Sequence, residues 1–183
     1  MIRSRFGTFR GLVRLALSYP QQHLVRGAVL PPAREAVTRL VFVCHGNICR
    51  SAFADVVAQR SGLRTASFGL STSSGKAAHG PAMAAACLLG HDLAAHRTTR
   101  VEDYTPAPGD LLLAMEVRQL VRLANDPRLS HLPRMLLGGW AQPPFPHLHD
   151  PYELSPAYMA TCLRRIESAV LNLAEAFPGA RLS

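Results

Sequence analysis

Residues 39–44 read Arg-Leu-Val-Phe-Val-Cys, an apolar run that ends abruptly at Cys44. A short continuous run of β-branched and aromatic residues suits a strand buried on both faces. A loop containing Gly46 and Asn47 follows, then Arg50, Ser51 and a stretch that reads as a helix over Ala52–Arg60. Glycine and asparagine accept backbone angles that other residues avoid, as a loop wrapped around an anion requires. Such a loop points its N–H groups at the bound anion, and the dipole of the following helix adds to the attraction. The same field favours thiolate over thiol at Cys44. Arg50 supplies a planar fork that matches two oxygens of a phosphate. The arrangement suits attack by sulfur on phosphorus.

The rest of the chain alternates in the same way. Arg64–Phe68 reads as a second strand, leading into the small-residue loop Gly69–Gly75. Pro81–Leu89 reads as a helix and Asp110–Met115 as a buried strand. A helix is expected from Glu116 to about Asn125, and a fourth strand over Arg134–Leu137. A proline-rich loop runs from Gln142 to Pro151. The last helix is expected over Ser155–Ala176, with an apolar stripe through Met159, Leu163, Ile166, Val170 and Leu173. Strands alternating with helices predict an α/β fold: a central four-stranded parallel sheet with helices on both faces. Ligands of such sheets bind beyond the carboxyl ends of the strands, where Cys44 is placed.

At 183 residues the chain suits one domain with a terminal extension. The net charge of +8 is uneven: residues 1–40 hold seven arginines against Glu35 alone. Residues 1–38 therefore form a basic extension. The spacing of Phe6, Phe9, Leu12, Val13 and Leu17 among Arg3, Arg5, Arg10 and Arg14 is that of a basic amphipathic helix. Breaks are expected at Tyr19-Pro20 and Pro31-Pro32. Three readings stand for residues 1–36: an extra helix packed on the domain, a weak contact with an anionic membrane surface or acidic partner, or a removed or disordered leader. No nucleic-acid partner is expected. Four cysteines do not form a disulfide scaffold here. Cys87 and Cys162 fall in apolar helical runs and are expected to be buried. A working thiolate needs a reducing compartment, so a cytoplasmic location is expected.

Cys44-His45-Gly46-Asn47-Ile48-Cys49-Arg50-Ser51 resembles the signature of the low-molecular-weight protein tyrosine phosphatases, with Ala52 where that family usually has proline. The resemblance covers about residues 39–178, leaving 179–183 as a tail. It includes Ser67-Phe68-Gly69, His96-Arg97, Leu113-Ala114-Met115-Glu116 and His149-Asp150-Pro151-Tyr152. It implies hydrolysis of phosphotyrosine and small aryl phosphates through a phosphocysteine intermediate, without cofactor or metal. Cys44 would be the nucleophile, Arg50 the phosphate clamp and Asp150 the general acid and then base. The chemistry itself demands such an acid, because the leaving oxygen needs a proton. Pro151 stiffens the backbone at Asp150.

By the same resemblance, His45 to Arg50 would bind phosphate. Asn47, Ser51, Ser67 and His96 would hold the loop, and Tyr152 would stack on the substrate ring. Cys49 would be a redox partner able to form a reversible disulfide with Cys44. The resemblance also implies phosphotyrosine proteins as partners, a bacterial tyrosine kinase among them. Glu153 stands where the family often has a second tyrosine, and the 70–80 loop offers Lys76 and His79 in place of an aromatic. Alternatives are an arsenate reductase-like relative, a protein arginine phosphatase, or a phosphate-binding or redox-sensing module without turnover. Arginine phosphatases of the family carry threonine where Ile48 stands, so Ile48 favours the tyrosine-directed reading.

Overall fold

The computed structural model describes residues 2–24 and 26–182. Four strands form one parallel sheet: β1 (Arg39–Cys44), β2 (Thr65–Gly69), β3 (Asp110–Ala114) and β4 (Arg134–Leu136). Their order across the sheet is β2-β1-β3-β4. The register sets Cys44 opposite Gly69 and Val43 opposite Ala114, so the strands reach their carboxyl ends together. Alternation along β1 divides the core. Leu40, Phe42 and Cys44 join a cluster with α3 (Arg50–Arg60), α4 (Gly80–Leu88) and α6 (Pro156–Ala176). Val41 and Val43 join a second cluster with α5 (Val117–Ala124). Cys44 therefore leaves the sheet on the side covered by α3 and α6.

Most predicted elements are present with ends shifted by one or two residues. The helix after the loop begins at Arg50, not Ala52, which brings the guanidinium into its first turn. The second strand is Thr65–Gly69, because Arg64 N–H is spent on Ala180 O at 2.7 Å. The fourth strand stops at Leu136 and passes into a 3₁₀ turn over Leu137–Trp140. Cys162 is buried but Cys87 is exposed, contrary to expectation. The helix carrying Cys87 is apolar all round, so periodicity could not choose its face; Ala82, Ala85 and Ala86 take the inside.

The basic extension forms α1 (Ile2–Phe6) and α2 (Phe9–Leu24), which turn at Gly7. No break occurs at Pro20, where α2 continues to Leu24. Ala16 and Pro20 both face water, so the carbonyl that loses its partner there remains solvated. Gly11, Leu15 and Ser18 face inward. Phe9, Val13 and Leu17 are exposed beside Arg10 and Arg14. Farther on, Leu30 pairs with Arg134 in both directions, and Arg134 Nε donates to Ala28 O. The extension thereby covers the open edge of β4. Among the described residues no helix is long and apolar enough to cross a membrane.

Candidate active site

Cys44 ends β1 at the base of a cavity of about 220 Å³. His45, Gly46, Ile48, Cys49 and Arg50 line it from the 45–50 loop, Asp150 and Tyr152 from the proline-rich loop, and Ser71, Thr72 and Lys76 from the loop after β2. Asn47 lies beneath the loop and does not line the cavity. Its φ of 53° is the left-handed conformation that asparagine tolerates. Gly69 lets the loop settle on β2: a Cβ there would come within 3.0 Å of Gly46 C and His45 O.

A chain of hydrogen bonds runs under Cys44. The Asp55 carboxylate can only accept, so Ser67 Oγ donates to its Oδ2 at 2.9 Å. Asn47 Nδ2 then donates to Ser67 Oγ at 3.1 Å and to Ser51 Oγ at 2.8 Å. Ser51 Oγ lies 3.0 Å from Cys44 Sγ, where its hydroxyl can donate to a thiolate. The Asn47 backbone N–H also donates to the sulfur, at 3.2 Å. Negative charge on Cys44 is the state that these donors stabilise. His96 Nε2 donates to Asn47 O at 2.8 Å, and Thr99 N–H donates to Asn47 Oδ1 at 2.9 Å. Asn47, Ser51, Ser67 and His96 therefore meet in one network. Asp55 and Thr99 escaped the sequence reading. Asp55 left one signal, as the sole acid of α3, set within the apolar run over residues 52–58.

Arg50 is almost wholly buried. Its Nη1 donates to Glu116 Oε1 at 2.7 Å and to Leu148 O at 2.8 Å. Nη2 is 2.5 Å from Asp150 Oδ2 in an ion pair. Nε and Nη2 make no hydrogen bond within the described chain. Nη1 is thus anchored, while Nε and Nη2 keep hydrogen-bonding capacity at a residue that lines the cavity. Burial would lower the Arg50 pKa, but the charges of Asp150, Glu116 and Cys44 outweigh it and keep the cation. Burial pushes the Cys49 thiol far up, reinforced by Asp150 and Cys44, so Cys49 remains protonated beside Cys44.

Glu116 also escaped assignment, although it stands two residues after the apolar end of β3, residues 111–114. Burial would raise its pKa, but Arg50, His147 and Arg118 hold it at about 2. Its folded value lies below the ordinary 4.5, so its contribution to stability is complete above pH 4.5. That contribution fades as pH falls toward 2. Glu116→Gln is expected to cost about 3 kcal/mol at neutral pH, because it removes one partner of a buried ion pair. The deficit should shrink in acid. Urea denaturation at pH 7 and pH 3 checks both statements.

Residues 39–181 match the family described as low molecular weight phosphotyrosine protein phosphatase. The chain belongs to this family. No curated protein matches the chain. Among solved structures it is similar to the tyrosine phosphatase AmsI of Erwinia amylovora, at 27% identity and a TM-score of 0.64. That match covers 77% of this chain and 93% of AmsI. It is also similar to the tyrosine phosphatase Wzb of Escherichia coli K30, at 26% identity and a TM-score of 0.66, over 76% of this chain and 97% of Wzb. The arginine phosphatase YwlE of Geobacillus stearothermophilus shares the fold, at 22% identity and a TM-score of 0.64, over 75% of this chain and 91% of YwlE. The phosphatase cleft of this chain has a distinctive rim. Tyr152 is exposed and packs on His79, with ring centroids 4.9 Å apart. Glu153 takes a positive φ of 56° and does not line the cavity.

Proposed function

We propose that the chain is a protein tyrosine phosphatase working through a phosphocysteine intermediate. The observation that carries this reading is the convergence of Cys44, the Arg50 guanidinium and the Asp150 carboxyl on one small cavity. The substrate's phosphoryl oxygens take the Nε–Nη2 fork and the backbone N–H groups of the 45–50 loop. This releases Asp150 from Arg50 toward the leaving oxygen. The Cys44 thiolate attacks phosphorus and an S–P bond forms. The P–O bond to the aryl group breaks, and its oxygen takes the electron pair and the Asp150 proton. In the second step water attacks phosphorus and gives a proton to the Asp150 carboxylate. The S–P bond breaks, returning thiolate and inorganic phosphate. Ser51 and Asn47 stabilise the sulfur charge at both ends of the cycle.

The apolar Ile48 on the cavity wall and the exposed Tyr152 ring support an aromatic substrate. The partners implied are phosphotyrosine-bearing proteins, with a tyrosine kinase as one candidate. Initial rates on two peptides of one sequence, bearing phosphotyrosine or phosphoarginine, test this specificity. A preference for phosphotyrosine of about a hundredfold is expected, reduced in Ile48→Thr. Faster release of phosphate from phosphoarginine would overturn it.

A further inference from the structure

The backbone leading into Asp150 is held from outside by the basic extension, which lies beyond the matched residues 39–181. Thr8 Oγ1 is 3.2 Å from His149 Nε2, in the residue next to Asp150. Gly11 packs directly on the same ring: a Cβ there would come within 2.9 Å of His149 Cδ2. The Phe6 and Phe145 rings stack with centroids 6.2 Å apart, and Tyr19 Oη donates to Pro144 O at 3.2 Å. Gly7, with φ of +76°, makes the turn that brings α1 and α2 onto this segment; a Cβ there would meet Leu154 and Tyr158 at 2.8 Å.

His149 is also gripped from within. Its carbonyl accepts from Tyr158 Oη at 3.2 Å, while its ring lies 5.7 Å from that of His147. Burial lowers the pKa of both imidazoles, so two neutral rings can lie together there. The ring Nδ1 of His149 is buried without a hydrogen-bond partner in the described chain, which makes Thr8 the polar contact of this side chain. Inward of Asp150, Leu148 N–H is tied to Met115 O at 3.0 Å and Leu148 O to Arg50. The peptide between His149 and Asp150 thus sits between a fixed inner anchor and the extension.

We propose that α1 and α2 are a clasp that sets the aim of the general acid, with Thr8 and His149 as its positioning residues. The inference rests on the assignment of Asp150 as the acid. Small errors in the placement of a proton donor are costly, and they cost most where the leaving oxygen is most basic.

The test compares kcat/KM of the full chain on phenyl phosphate and on dinitrophenyl phosphate, whose leaving group needs little protonation. Thr8→Val keeps the shape of the side chain and removes its hydroxyl. It should lose about tenfold on phenyl phosphate and less than about twofold on dinitrophenyl phosphate. Inhibition by inorganic phosphate should not change, and Thr8→Ser should restore the rate. Equal losses on both substrates, or no loss on phenyl phosphate, would overturn the clasp. Asp150→Asn is measured beside it. If Asp150→Asn is selective for the poor leaving group and Thr8→Val is not, the clasp alone fails. If Asp150→Asn shows no selectivity, the acid assignment fails and the clasp with it.

Discussion

Replacing Cys44 with serine is expected to abolish turnover of an aryl phosphate while leaving phosphate binding in place. The hydroxyl is a far weaker nucleophile at neutral pH than a thiolate. Ser51 Oγ can donate toward position 44, and Asn47 N–H also donates there. Both contacts stabilise an anion and neither removes a proton. Loss of a nucleophile of this kind costs roughly a millionfold in kcat. Binding should survive, because the fork of Arg50 is fixed by Glu116 and Leu148, not by the sulfur. Calorimetry with inorganic phosphate and a progress curve on p-nitrophenyl phosphate check the two halves. Turnover near wild type would remove Cys44 from the reaction.

Asp150→Asn should give the second largest loss, about a hundredfold to ten-thousandfold in kcat on phenyl phosphate. The amide keeps the size of the side chain and can still accept from Tyr152 N–H, as Oδ1 does at 3.3 Å. It cannot deliver a proton to the leaving oxygen or take one from water. The leaving group supplies an independent sign. On dinitrophenyl phosphate, whose leaving oxygen needs little protonation, the loss in Asp150→Asn should be small. Equal losses on both substrates would assign the acid elsewhere.

How far the sequence spoke depended on the range of the interaction. The strand, loop and helix around Cys44 are local, and their residue types carried both the geometry and the chemistry. The parallel sheet followed from alternating short apolar runs and helical segments. Helix ends were displaced because caps and side-chain contacts decide them: Ser155 caps the last helix by accepting from Tyr158 N–H, so that helix begins at Pro156. Asp55, Thr99 and Glu116 were missed because each acts only through folding. Glu116 reaches Arg50 across 66 positions of chain, and Thr99 reaches Asn47 across 52. Cys87 was misjudged because an alanine-rich helix presents no polar face to orient it. The extension was legible as a basic amphipathic helix. Its contact with His149 was not, since nothing local in Thr8 or Gly11 announces a partner so far along the chain.

The most direct test of the reaction is to mix wild-type enzyme with dinitrophenyl phosphate, quench in acid within the first turnover and map the phosphoryl group by mass spectrometry of peptides. One phosphoryl group is expected on the sulfur of Cys44, absent from Cys44→Ser and discharged when the quench is delayed past substrate exhaustion. A phosphoryl group on another residue, or steady turnover with none on the enzyme at any quench time, would contradict the phosphocysteine intermediate.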